Sequence, residues 1–370
     1  MNEAKHILAR LKNEGRRIIG CFPLYPPVEL LHSFGLTPVV LWGGSYREMD
    51  LSRSDRHLQY YTCRVARNMT EFILSLEDGL LDGLFMYNAC DTLRNLPEII
   101  EAGLDGKGSK PSIFKLHIPA LPEDRTMSRA YLSGRIDELI SQLEGFTTKP
   151  FSSKNFLSSV ELYQEQRRLC RACSEMCASG KTSFSAASYI LELAHILPVE
   201  EHVAVLQKEA LKAKGAADVT RDHIKVMTSG IQAPPVELME VMEVNGLRVV
   251  ANDIATMSRS YENNPVPCAD PCEFYCDFYF NHKPCTTLLP ASDRRVEFIK
   301  NTSKSSGAQG FIFFGEKFCE YEYFEMPYMQ DMLKALGVET LLLELGADDL
   351  TNLMPHKTRI EAFAEMLKSR

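Results

Sequence analysis

The sequence predicts an α/β protein in which two parallel-sheet domains are joined by a helical connector. Three stretches of different periodicity carry this reading. Residues 1–126 alternate helical and strand patterns, residues 127–220 read as helix after helix, and residues 221–370 return to alternation. A chain of 370 residues also exceeds what one hydrophobic core usually organises, so two cores are expected.

The elements follow in order. A helix over 2–15 precedes an apolar strand from Ile18 to Phe22, then a helix from Val28 to Phe34 and a strand from Pro38 to Trp42. Cys63 to Leu76 has helical spacing and leads to the strand Gly83–Tyr87; a helix opens after Cys90, and Ser112–His117 is a further strand. The connector, running from about Met127 to Lys214, is interrupted only by the polar segments TTKPFSSKN and SGKTS. HIKVMTS then forms a strand, Pro234-Pro235 signals a helix start, and Leu247–Ala251 is a strand. A helix over Ser292–Ser303, a strand over Gly310–Phe314, a helix over Tyr328–Leu336, a strand over Glu339–Leu345 and a terminal helix complete the series. Such alternation requires crossover connections with helices on both sheet faces, the doubly wound arrangement of Rossmann or flavodoxin type.

Composition narrows the function. A formal charge of −8 provides no basic field for a polyanion, so nucleic acid is not an expected partner. The charged N-terminus MNEAKHILARLKNEGRR lacks a signal-peptide core and no apolar run reaches 18 residues, so a cytoplasmic protein without a membrane partner is expected. In a reducing compartment, 11 cysteines point to metal ligation, catalysis or core packing and not to disulfides.

Three cysteine groups compete. Cys170, Cys173 and Cys177 fall on one face of a helix without Gly or Pro, which reads as a packing stripe. Cys268, Cys272, Cys276 and Cys285 sit among prolines and aromatics and are compatible with zinc, although the spacing lacks paired CxxC units and Cys276 lies in a helical run of aromatics. Cys63, Cys90 and Cys319 are far apart in sequence, yet each opens a helix or follows a strand. In open α/β sheets ligands bind beyond the carboxyl ends of strands, and helix N-termini stabilise thiolates.

The segments RRIIGCFPLYPPVELLHSFGLTPVVLWGG, TCRVARNMTEFILSLEDGLLDGLF, NACDTLRNLPEI, NGLRVVANDIATMSRSY and GAQGFIFFGEKFCEYEYFEMPYMQDMLKALGVETLLLELG, in this order, resemble the 2-hydroxyacyl-CoA dehydratase and benzoyl-CoA reductase family, specifically its smaller iron-sulfur subunit. The resemblance implies one 4Fe-4S cluster per chain, held by Cys63, Cys90 and Cys319 with one iron left free of protein sulfur. It implies a homologous larger subunit as partner, in a heterodimer, with a homodimer as the other possibility. It also implies a separate ATP-hydrolysing iron-sulfur activator that delivers a low-potential electron. The expected activity is removal of water from a 2-hydroxyacyl-CoA through a ketyl radical, giving an enoyl-CoA. The alternatives are the small cluster subunit of a benzoyl-CoA-type reductase and, in another class, a non-catalytic electron-transfer or cluster-carrier protein. Two positions depart from relatives: Pro26 stands where many carry cysteine or threonine, and Ile254-Ala255 lack the extra cysteines of double-cubane relatives.

Glu29, three residues before His32, is a candidate proton acceptor near the cluster, set against a role in capping and core hydrogen bonding. Arg64 and Arg67 are candidates for pairing with a CoA phosphate or with carboxylates, or for a solvated face. Gly43-Gly44 after Trp42 permit a turn or close backbone approach. SGKTS lacks the upstream glycine and strand of a phosphate-binding loop.

Overall fold

The computed structural model describes residues 2–42, 50–106, 108–119, 125–213, 223–282, 285, 292–346 and 348–370. Gly43-Gly44 and the end of the connector at 214–220 lie outside them. The first unit runs α1 (Asn2–Asn13), β1 (Ile18–Cys21), α2 (Val28–Ser33), β2 (Thr37–Val40), α3 (Arg64–Ser75), β3 (Gly83–Tyr87), α4 (Asp91–Gly103) and β4 (Ser112–Leu116). Four connector helices follow: α5 (Arg125–Thr147), α6 (Ser153–Ala178), α7 (Phe184–Glu192) and α8 (Val199–Ala213). The second unit contains β5 (Ile224–Gly230), α9 (Val236–Val244), β6 (Leu247–Ile254), α10 (Ser258–Tyr261), α11 (Pro271–Phe280) and α12 (Ser292–Ser306). It closes with β7 (Gly310–Glu316), α13 (Glu320–Tyr323), α14 (Met326–Ala335), β8 (Glu339–Leu345) and α15 (Met354–Lys368).

The eight strands form two all-parallel sheets with the same plan, ordered β2-β1-β3-β4 and β6-β5-β7-β8. Strand order reverses between β1 and β3 in one sheet and between β5 and β7 in the other. Reversal splays the loops apart at the carboxyl ends of those strands and opens a crevice there. The central strands β1, β3 and β7 are buried along their whole length, as expected where helices cover both faces. Gly230 ends β5 beside β7, where a Cβ would overlap the Phe314 carbonyl oxygen.

Strand β6 continues past Ala251 to Ile254, because the carboxylate of Asp253 is neutralised inside the fold by Arg259 and Arg295. Arg259 is six residues on and Arg295 lies 42 residues on, separations that strand periodicity does not record.

Two helices bind the units together. α6 spans 26 residues, about 39 Å at the helical rise, and presents Phe156 and Val160 to the first core and Leu169, Cys170, Cys173 and Cys177 to the second. The stripe of three cysteines is thus the apolar face that holds the connector on the second sheet. α11 starts in the segment N-capped by Asp270, yet Phe274, Tyr275, Phe278 and Tyr279 pack into the core of the first unit. Tyr275 lies in this helix with its hydroxyl donating to Glu29 Oε2 at 3.0 Å and accepting from the Leu30 amide at 3.0 Å. Replacing that hydroxyl in Tyr275→Phe leaves two buried groups short of a partner and is expected to lower unfolding stability by about 1–3 kcal/mol, measured by urea denaturation.

Candidate functional site

All three cysteines that sequence grouped by position cap helix N-termini. Cys63 is the N-cap of α3, Cys90 of α4 and Cys319 of α13. Cys90 follows β3 and Cys319 follows β7, the strands at which order reverses in each sheet. The Cys90 thiol accepts from the Leu93 amide at 3.4 Å. Phe318, just before Cys319, has a φ of 68°, a left-handed conformation that a side chain adopts only under constraint. This bend turns the chain from β7 into α13 and sets the direction of Cys319.

The three thiols share one neighbourhood. Burial pushes Cys63 up to about 12, with negative charge on Glu316 and Cys90 adding to the shift and the Ala66 and Val65 amides opposing it. Cys319 is raised by burial first and then by Glu322, Cys63 and Cys90. Cys90 is raised by burial, against which the Leu93 and Thr92 amides act. Thiols so placed stay protonated unless a positive centre offsets the desolvation of their thiolates, and metal ligation is such a centre. Among the described residues, no three His, Cys, Asp or Glu side chains close on the position of a single metal ion. The three thiols are half-buried at helix N-termini, and a thiol is the donor type that an iron-sulfur group takes.

Charged residues frame these cysteines. Arg64, first in α3, donates through its backbone amide to Glu316 Oε1 at 3.0 Å and through Nη2 to Glu316 Oε2 at 2.9 Å. Both residues are buried, and the pair ties the helix opened by Cys63 to the end of β7. Arg64 is therefore engaged with a carboxylate, and Arg67 likewise donates to Asp55 through Nε and Nη2. Behind Cys319, Asp253 binds both Arg259 and Arg295, and Glu322 of α13 faces the same two guanidinium groups. Although burial opposes ionisation of Asp253, the two arginines hold it below the usual carboxylate range. Glu322 is raised, because burial outweighs them there, and its Oε2 has no partner.

Glu29 is fully buried with both oxygens engaged, one by Arg167 of α6 and the other by Tyr275 of α11. His32 donates or accepts at Ser159 (2.8 Å) and Glu200 (3.0 Å). Both therefore join α2 to the connector, an arrangement that supports the structural reading of Glu29. The Cys268–Cys285 group does not gather. Cys272 faces Ser133 and Asp137, Cys276 faces Ser133 and Arg129, Cys268 faces Glu273, and Cys285 lies 3.8 Å from Arg259 Nη1. Sequence reasoning missed Glu316, Glu322, Asp253, Arg259 and Arg295, which carry no motif and meet only through the fold.

A family model described as 2-hydroxyglutaryl-CoA dehydratase, D-component, matches residues 23–367. The chain belongs to this family. It is 26% identical to the (R)-phenyllactyl-CoA dehydratase beta subunit of Clostridium sporogenes, over 99% of this chain and 96% of that one. It is 27% identical to the (R)-2-hydroxyglutaryl-CoA dehydratase beta subunit of Acidaminococcus fermentans, over 98% and 96%. It is 24% identical to a benzoyl-CoA reductase subunit of Thauera aromatica, over 95% and 91%. Among the described residues, no helix is long and apolar enough to cross a membrane.

Arg64→Ala strands the Glu316 carboxylate in the interior and is expected to cost about 3–5 kcal/mol of stability, read by urea unfolding; a loss under about 1 kcal/mol would show the pair to be dispensable. A second expectation concerns Glu192 at the end of α7. Burial pushes it up to about 7 from an ordinary 4.5, so the folded state holds its proton more tightly than the unfolded chain. Its contribution is favourable at low pH and is lost as pH rises through 7. Glu192→Gln should therefore stabilise the protein above about pH 7, by up to about 3 kcal/mol, with a gain that shrinks toward pH 4.5, measured by thermal melts across pH.

Proposed function

We propose that this chain is the smaller, cluster-bearing subunit of a 2-hydroxyacyl-CoA dehydratase, holding one 4Fe-4S cluster through Cys63, Cys90 and Cys319. The observation that supports the reading is that three half-buried, helix-capping thiols, Cys63 and Cys90 from the first unit and Cys319 from the second, lie near enough for Cys63 and Cys90 to raise Cys319 electrostatically. Full-length similarity to two dehydratase beta subunits supports it. The cluster, when bound, supplies one-electron transfer at low potential. This chain's own residues do the rest: the helix N-termini offset the thiolate charge, the Arg64–Glu316 pair fixes the Cys63 helix against β7, and the Asp253–Arg259–Arg295–Glu322 network fixes α13 from behind.

The subunit works with a homologous larger partner and a separate ATP-hydrolysing activator in this proposal. Exposed aromatic side chains support a partner face near the cysteines: Tyr60 and Tyr61 just before Cys63, and Phe324 and Tyr328 just after Cys319. Similarity to the benzoyl-CoA reductase of Thauera aromatica favours aromatic-ring reduction as the second reading. The substrate arms separate the two: with partner and activator present, turnover of 2-hydroxyacyl-CoA supports dehydration and turnover of benzoyl-CoA alone supports reduction.

Anaerobic purification should yield iron and acid-labile sulfide in equal amounts, about four of each per chain. Cys63→Ser, Cys90→Ser and Cys319→Ser are each expected to lose most of the cluster absorbance, while Cys173→Ser keeps it. Retention of the absorbance in any of the first three sinks that ligand assignment.

A further inference from the structure

Two contacts cross from the first unit to the chain around Cys319, and each starts one residue after a capping cysteine. Arg64, which follows Cys63, binds Glu316, three residues before Cys319. Asp91, which follows Cys90, accepts at Oδ2 from the hydroxyl of Tyr321, two residues after Cys319, at 3.0 Å. The first contact is buried, whereas the second lies at the surface, with Tyr321 39% exposed and the Asp91 side chain 66% exposed. A buried ion pair stays made, but a hydrogen bond in contact with water exchanges with water at little cost. One contact is therefore a fixed tie, and the other is one that opens.

Tyr321 belongs to α13, a four-residue turn in which the Phe324 amide donates to the Glu320 carbonyl at 3.0 Å. A single turn does not hold its shape unaided, because fixing its backbone costs more than one hydrogen bond returns. Three consecutive side chains hold it here. Glu322 points inward and accepts from Arg259 Nη2 at 3.3 Å; Tyr323 lies against Gly315 of β7, where a Cβ would overlap the phenol oxygen; Tyr321 reaches outward to Asp91. Arg94 steadies the acceptor, with Nη2 3.0 Å from Asp91 Oδ1. Cys90 is close enough to raise the Tyr321 phenol, after burial and Asp91. Loss of the Tyr321–Asp91 bond leaves both inner anchors in place, so the turn persists while its outer side comes free of α4.

We propose that Tyr321 and Asp91 form a gate over the Cys90 and Cys319 side of the thiol site when the chain stands alone. Closed, the phenol spans from α13 to the first residue of α4, beside the two half-buried thiols and between them and water. Open, it swings away while Glu322 and Tyr323 keep α13 on the second unit. The Cys63 side is closed instead by the buried Arg64–Glu316 pair. Access of a thiol-directed reagent to Cys90 and Cys319 is thus set by the opening of one exposed bond. The gate concerns the three-thiol site and does not depend on what that site holds.

The full chain is purified anaerobically, its iron and sulfide are measured, any iron is removed with a chelator, and alkylation of each cysteine by iodoacetamide is timed by peptide mass spectrometry. Tyr321→Phe and Asp91→Ala should each speed alkylation of Cys90 and Cys319 by about three- to tenfold, the factor expected for losing one partly exposed hydrogen bond. Cys63 and the buried Cys173 should keep their original rates. The double variant should be no faster than either single one, since the same bond is lost in all three. Unchanged rates at Cys90 and Cys319 in both single variants overturn the proposal. So does an equal rise at Cys63 or Cys173, which would mean general loosening, or additive effects in the double variant. A preparation without iron counts against the cluster reading and leaves the alkylation comparison intact, so the two fail separately.

Discussion

Much of this protein turns on one buried ion pair, Arg64 with Glu316. It joins the first residue of α3 to the last residue of β7, so it closes the crevice between the two units at the point where Cys63 begins its helix. A buried pair is not a cheap source of stability, because both ions must lose their water. What it provides is position. With the backbone amide and the guanidinium of Arg64 both directed at one carboxylate, the α3 N-terminus has little freedom to rotate relative to the second sheet. Cys63 and Cys319, which come from different units, are thereby held to one arrangement.

The rest of the architecture reinforces that arrangement by packing. α6 spans both cores, and α11 crosses back from the second unit to fill the first, bringing Tyr275 and Tyr279 against the loop after β1. Tyr279 donates to the Tyr25 carbonyl at 2.8 Å, and Tyr87 accepts from the Tyr25 amide at 2.9 Å. Two units linked only by a flexible tether would move independently, whereas shared helices and a buried ion pair make relative motion costly. The proposed cluster needs thiols from both units to hold one group, and the stiffness of this frame suits that proposal.

Electrostatics divides the crevice into two regions. Around the cysteines, acids and arginines are closely matched: Asp253 and Glu322 face Arg259 and Arg295, and Glu316 faces Arg64. At the end of α7, away from those pairs, burial raises the Glu192 carboxyl and lowers the His195 imidazole.

The sequence by itself determined the class of fold, the two sheets, the helical connector and the places of Cys63, Cys90 and Cys319 at strand-to-helix junctions. Those features follow from local periodicity, from helix start signals and from where cysteines fall between elements, all of which act over a few residues. It also identified Cys170, Cys173 and Cys177 as a packing stripe, since an uninterrupted helix fixes their common face. Only the tertiary structure decided that Arg64 binds Glu316, that both Glu29 oxygens are taken by Arg167 and Tyr275, and that α11 belongs to the first core. The physical reason is separation along the chain: a buried charge is tolerable only beside its counter-charge, and nothing in either residue's local neighbourhood records which distant partner the fold will bring.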